Sequence, residues 1–213
     1  MEPIANLLSG TKLAMAMLQD TLIDLIYDTI QSDAMLYGGT AVWRCYDGNR
    51  FSEDIDIYMK EKAIEALAGS LVAHGLRLLW RSEELPGNMR IGNGMATVLL
   101  EAKEGSGESL MRQYTRTDGS FAAISVLSPT EMLVRKIEAY NGRGFARDIY
   151  DIFVLTRFLD RHDYTVATEL ERFLKEIKKP SDEKVLQSLI YAGDGHISYA
   201  TMIDYIDRWL HEI

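Results

Sequence analysis

The chain has 213 residues, 47% of them hydrophobic and 26% charged, a composition that supports a packed core and excludes a disordered or fibrous polypeptide. A formal net charge of −9 opposes strong non-specific attraction to nucleic acid, because a phosphate binder usually carries a basic excess. No run approaches the roughly 20 apolar residues of a membrane-spanning helix, the start at Glu2, Pro3 and Asn6 lacks the pattern of a secretion signal, and the lone Cys45 has no second thiol for a disulfide or zinc site. Together these features predict a cytoplasmic protein that does not contact a membrane.

In chain order, Met15, Leu18, Leu22, Leu25, Ile26 and Ile30 recur at helical spacing and predict an amphipathic helix over residues 11–30. A turn is expected at Gly38-Gly39, followed by a short helix over residues 40–47. Asp54-Ile55-Asp56-Ile57-Tyr58 alternates acid and apolar, the pattern of a half-buried strand. A helix follows from about Glu61 to Ala73, closed by Gly75. Strands are expected near residues 76–81, 89–92, 96–102 and 122–127, with a loop over Glu104–Gly107.

Ser128-Pro129-Thr130-Glu131 carries a complete helix start: an N-cap serine, proline at the first helical position and glutamate three residues after the cap. That helix should run to about Tyr140 and stop at Asn141-Gly142, with another from Ala146 to about Leu159. Further helices are expected near residues 165–178, 182–191 and 198–211. The order predicts an α+β protein, a mixed sheet with helices on one side over residues 1–127, followed by a helical subdomain over residues 128–213.

The chemistry concentrates on the acid strand. In extended backbone, residues i and i+2 face the same way, so Asp54 and Asp56 project together while Ile55 and Ile57 enter the core. Two carboxylates held roughly 6–7 Å apart at their α-carbons favour a shared hard cation such as magnesium. About fifteen residues upstream, Gly38-Gly39-Thr40 opens a helix, where glycines admit a phosphate closely and free N–H groups favour an anion.

Gly38-Gly39-Thr40-Ala41 followed by Arg50-x-Ser52-x-Asp54-Ile55-Asp56 resembles the signature of the AbiEii/AbiGii toxin family, small nucleotidyltransferases of the polymerase-β-like superfamily. The resemblance spans roughly residues 33–157 and is strongest over 38–57. It implies a nucleotidyltransferase fold and transfer of a nucleoside monophosphate from an NTP to a hydroxyl with release of pyrophosphate. Gly38, Gly39 and Thr40 would grip the triphosphate, Arg50 and Ser52 would sit beside it, and Asp54 and Asp56 would hold two magnesium ions. A third carboxylate is expected from a neighbouring strand, and Glu101 is the first candidate, with Glu104 and Glu108 as rivals.

Glu131-Met132-Leu133-x-x-Lys136-Ile137 resembles the family helix that carries a nucleotide-binding lysine, which places Lys136 at the terminal phosphates. Arg147-Asp148-Ile149-Tyr150-Asp151 resembles the family's basic-Asp-x-x-Asp element. Helical spacing lets Asp148 and Asp151 share a face and lets Arg147 pair with Asp151. Asp148 would act as a base or a positioning group for the acceptor hydroxyl.

Between Arg112 and Arg147 six basic residues stand against three acids, which gives either a positive wall for a phosphate ligand or a solvated helix face. The family implies a toxin restrained by a separately encoded antitoxin, with a tRNA 3′ end as one acceptor. A small molecule such as an aminoglycoside, or a protein side chain, is the alternative acceptor, and a non-catalytic NTP-binding regulator is the alternative class. Tyr37, Trp43 and Tyr46 are either base-stacking groups or core. The histidines at 74, 162, 196 and 211 lack metal-ligand spacing.

Overall fold

The computed structural model describes residues 2–29, 33–192 and 197–211. His196 lies outside the described residues, as does Ile30 at the end of the first expected helix. Contacts divide the chain into two compact units, one of residues 1–45 and 51–127, the other of residues 46–50 and 128–213.

The first unit opens with α1 (Ile4–Leu7) and α2 (Gly10–Asp24), and α2 passes into a π-helical turn over Leu25–Thr29. There follow β1 (Met35–Tyr37), α3 (Gly38–Cys45), β2 (Ile55–Tyr58) and α4 (Glu61–Ser70), and a 3₁₀ turn closes α4 at Gly75. Then come β3 (Arg77–Arg81), β4 (Asn88–Gly92), β5 (Thr97–Lys103), β6 (Ser109–Thr115) and β7 (Phe121–Leu127). The strands form one mixed sheet in the order β3-β4-β5-β2-β1-β7-β6. The pairs β1/β7 and β2/β5 are parallel, and the others are antiparallel.

Register fixes the core. Leu36, Ile57 and Ala102 lie in one row across β1, β2 and β5, and Ile55, Leu100 and Met89 lie in the next. All six are at most 3% exposed. On α2 and the turn after it, Leu18, Leu22, Ile23 and Ile26 are fully buried, the helical-period stripe expected from their spacing.

Two strands were not expected. β1 is only three residues long and its sequence, Met-Leu-Tyr, carries no alternation to reveal it. β6 is an edge strand with mostly exposed side chains, and its pairing with β7 rather than an apolar face makes it a strand. α3 begins at Gly38, two residues earlier than expected, because Gly38 itself adopts a φ of 76° and turns the chain directly from β1 into the helix.

One buried polar knot braces this unit. Asp20 accepts hydrogen bonds from the Tyr114 hydroxyl (3.0 Å) and from the Thr117 N–H and hydroxyl (2.8 and 2.7 Å). It also pairs with Arg44 at 3.3 Å. The Arg44 guanidinium lies 3.9 Å from the Trp43 ring centroid and donates to the carbonyls of Ala16 and Thr115.

The second unit contains α5 (Pro129–Arg143), α6 (Ala146–Leu155), α7 (Tyr164–Glu176), α8 (Glu183–Leu189) and α9 (Tyr199–His211). Ser128 caps α5 by accepting from Glu131 N–H at 3.3 Å. α5 runs three residues past its expected stop, because Asn141 and Gly142 stay helical and Gly144, at φ 67°, supplies the left-handed cap instead. The short segment 46–50 joins this unit: the Asn49 N–H donates to the Tyr150 hydroxyl (2.8 Å), and the Tyr191 N–H donates to the Asn49 carbonyl (3.1 Å). Among the described residues no helix is long and apolar enough to cross a membrane.

The Asp20→Ala substitution should lower unfolding free energy by about 3 kcal/mol, since it strips a buried arginine of its partner and leaves three donors unmatched. Tyr114→Phe should cost about 1 kcal/mol. Chemical denaturation of the two variants beside the parent checks both the order and the size.

Candidate active site

The parallel register of β2 and β5 pairs Asp56 with Glu101, so the two carboxylates leave the same face of adjacent strands about 4.8 Å apart at the backbone. The antiparallel partners extend this row, with Tyr37 opposite Asp56 and Asn88 opposite Glu101. All four side chains are half-buried, whereas the neighbouring rows on the other face are sealed. Asp54 lies two residues before Asp56, immediately ahead of β2.

The glycine turn stands against this row. A β-carbon placed on Gly38 would fall 2.0 Å from Asp56 Oδ2, so the turn and the carboxylate fit only because no side chain intervenes, and the positive φ makes the same demand. Gly39 and Thr40 occupy the first turn of α3. The Thr40 hydroxyl is buried and donates to the Asp54 carbonyl, so it pins the backbone of the acid segment. Ser52 is nearly buried as well.

Sequence reading missed Gln19. Its fully buried side chain on α2 donates to the carbonyls of Ser52 (2.9 Å) and Glu53 (3.2 Å), and so fixes the extended stretch that delivers Asp54. The one available signal was a polar residue inside the apolar stripe of α2, a pattern with many causes. Tyr37 and Asn88 were likewise hidden as members of the row, because strand register is not written in either strand alone.

The carboxylate donors suit a hard divalent cation. Among the described residues no group of three or more His, Cys, Asp and Glu side chains converges as a metal cage. That fits magnesium, which commonly takes one or two carboxylates and completes its shell with substrate phosphates and water. Of the rivals to Glu101, Glu104 lies in the loop after β5 and accepts from the Glu61 N–H (3.4 Å), and Glu108 is exposed.

In the second unit, Arg50, Lys136, Arg143, Asp148 and Asp151 form one cluster. Arg50 holds Asp151 through two bonds, Nε to Oδ1 at 3.0 Å and Nη2 to Oδ2 at 2.8 Å. Lys136 Nζ lies 2.6 Å from Asp151 Oδ2 and 3.7 Å from Asp148 Oδ1. Arg143 grips Asp148 at 2.8 and 2.7 Å. Asp148 and Asp151 do share a face, but Arg147 does not pair with Asp151; its guanidinium lies over the Phe145 ring. The partner is Arg50, about a hundred positions away in sequence and invisible to helical spacing.

Burial alone would raise the Asp151 pKa; the charges of Arg50 and Lys136 outweigh it and hold the carboxyl below its ordinary value. Burial pulls Arg50 down, and Asp151 more than reverses this. The basic stretch expected to form a positive wall is largely engaged within its own units. Arg112 donates to the Cys45 carbonyl, Arg116 pairs with Asp24, Arg135 with Glu131, and Lys136 and Arg143 with the α6 acids.

Asp151→Asn should destabilise the protein by about 3 kcal/mol near neutral pH, because two buried cations lose their counter-charge. Since the folded pKa is depressed, the parent's advantage is complete above the unfolded value of about 3.9 and fades as pH falls through the lower folded value. Urea melts of parent and variant from neutral pH into the acid range should therefore converge at the acid end.

Comparison with known proteins adds the following. The model of the AbiEii nucleotidyl transferase toxin family, of type IV toxin–antitoxin systems, matches residues 22–202. No curated protein matches the sequence. Among solved structures, MenT4, a nucleotidyltransferase toxin from Mycobacterium tuberculosis H37Rv, superposes with a TM-score of 0.66 at 16% identity, covering 94% of this chain and 83% of that one. A putative nucleotidyltransferase from H. pylori gives 0.58 at 17% identity, over 95% and 93% of the two chains. ANT(2″)-Ia in complex with adenylyl-2″-tobramycin gives 0.50 at 13% identity, over 74% and 98%. At these identities the structures show a shared nucleotidyltransferase fold. With the family model covering most of its length, the chain belongs to the AbiEii family of nucleotidyltransferase toxins.

Proposed function

We propose that this nucleotidyltransferase moves a nucleoside monophosphate from a magnesium-bound NTP to a hydroxyl acceptor, with Asp54, Asp56 and Glu101 as the metal-holding carboxylates. The observation that carries this reading is the in-register pair Asp56 and Glu101, with the Gly38 turn pressed against Asp56. Magnesium held there supplies positive charge to the triphosphate and lowers the pKa of the attacking hydroxyl.

The chain's own residues do the rest. Gly38 and Gly39 open backbone N–H groups toward the phosphates, Thr40 and Gln19 hold the acid segment still, and Ser52 offers a hydroxyl. The acceptor oxygen bonds to the α-phosphorus, the bond from that phosphorus to the β-bridging oxygen breaks, pyrophosphate leaves with the electron pair, and the acceptor proton passes to solvent. For Arg50, Lys136 and Asp148 the proposal rests on the family resemblance: Arg50 and Lys136 provide charge for the phosphates. Of the two roles open to Asp148, its double bond to Arg143 and complete burial suit positioning rather than proton transfer.

The family's toxin role implies a separately encoded antitoxin, and a cytoplasmic setting supplies the NTP. The acceptor is either a tRNA 3′ end or a smaller hydroxyl compound. The internal engagement of Arg112, Arg116, Arg135, Lys136 and Arg143 favours the smaller one, since RNA binding depends on basic groups that meet phosphate.

Asp56→Ala and Asp54→Ala should each reduce pyrophosphate release by at least about a hundredfold, while Glu101→Gln should reduce it less severely. Incubation with magnesium, each labelled NTP, an RNA pool and a small-molecule extract shows where the label goes. NTP binding without pyrophosphate release, unchanged in Asp56→Ala, would overturn the catalytic reading in favour of a regulatory NTP binder.

A further inference from the structure

Beside Glu101 the first unit opens a cleft of about 360 Å³, within the size range of small-molecule sites. One wall is α4, which contributes Ile64, and the facing wall is the turn between β3 and β4, with Leu85 and Pro86. The turn comes this close because Gly87 has no side chain: a β-carbon there would lie 1.7 Å from the Ala102 carbonyl oxygen. At its inner end the cleft reaches Glu101 and Tyr37, the two residues flanking Asp56 in the row.

The charges around it are uneven. Four carboxylates, Glu61, Glu65, Glu101 and Glu104, line the cleft against two cations, Arg81 and Lys103. Arg81 is committed to Glu65 by paired contacts and holds that carboxyl below its ordinary pKa. The Lys103 ammonium lies over the stacked rings of Tyr37 and Tyr58, 5.6 and 5.9 Å from their centroids. With Glu101 assigned to the metal, the exposed pair Glu61 and Glu104 sets the charge of the mouth.

We propose that this cleft is the acceptor site and that it selects a compact, aminated polyhydroxyl compound over RNA. Resting on the nucleotidyl-transfer reading, the proposal places the acceptor hydroxyl at the Glu101 end and its ammonium groups at Glu61 and Glu104. The apolar walls take the ring faces, the carboxylates take the amines, and a phosphate backbone meets repulsion at the same mouth. The transfer keeps the balance already given, with a phosphoester formed on the acceptor oxygen and pyrophosphate released.

The test uses the full-length protein with magnesium and a non-hydrolysable NTP, titrated calorimetrically at low salt with three probes: the fully deacetylated glucosamine disaccharide, cellobiose and the RNA trinucleotide CCA. The two sugars share a skeleton and differ in amines. Two carboxylate–amine contacts predict that the aminated disaccharide binds about tenfold tighter than cellobiose, with CCA weakest. In the Glu61→Lys/Glu104→Lys variant, altered only at exposed positions, that preference should vanish while acceptor-free pyrophosphate release stays unchanged. Equal binding of the two sugars, or tightest binding of CCA, would overturn the inference. Selective binding of the aminated sugar without any pyrophosphate release would uphold the cleft and sink the transfer reading, and pyrophosphate release without that selectivity would do the reverse.

Discussion

The parallel pairing of β2 with β5 is the constraint on which the rest of the first unit depends. One register sends Ile55, Ile57, Leu100 and Ala102 into the core and brings Asp56 alongside Glu101 on the other face. Because side chains alternate with a period of two, a slip by a single residue would expose the apolar set and bury the acids. The core and the candidate catalytic row are thus a single choice of register, and the free energy of burying the apolar face holds two like charges side by side.

Around that row the structure spends its buried polar groups on backbone placement. Gln19 and Thr40 hold the carbonyls of Ser52, Glu53 and Asp54, and Gly38 fills the space beside Asp56 with nothing larger than hydrogen. These contacts fix an extended stretch that belongs to no ladder until Ile55. In the second unit the cluster of Arg50, Lys136, Arg143, Asp148 and Asp151 is built differently, with charge satisfied by charge where burial makes an unpaired ion costly.

Charge partition bears on specificity. Basic residues are largely engaged by acids, carbonyls or rings of their own unit, whereas the cleft beside Glu101 keeps acids at its mouth. The net charge of −9 therefore understates how few cations stand open to a phosphate ligand. Fold and chemistry are shared with proteins at 13–17% identity, and a site's substrate is set by such local walls rather than by the sheet beneath them.

Sequence by itself determined the acid strand, the glycine turn, the capped start of α5 and the family. Each is a local pattern whose chemistry is set by neighbours a few residues apart: alternation for Asp54 and Asp56, a cap and proline for Ser128-Pro129, φ freedom for Gly38. It also pointed to Glu101 through its place at the end of an apolar run. Tertiary structure alone decided that Glu101 stands beside Asp56, that Arg50 rather than Arg147 holds Asp151, that Gln19 supports the acid segment, and that β1 and β6 are strands at all. These facts depend on register, on partners up to a hundred positions distant and on hydrogen bonds to backbone carbonyls, which every residue possesses and no side-chain pattern announces.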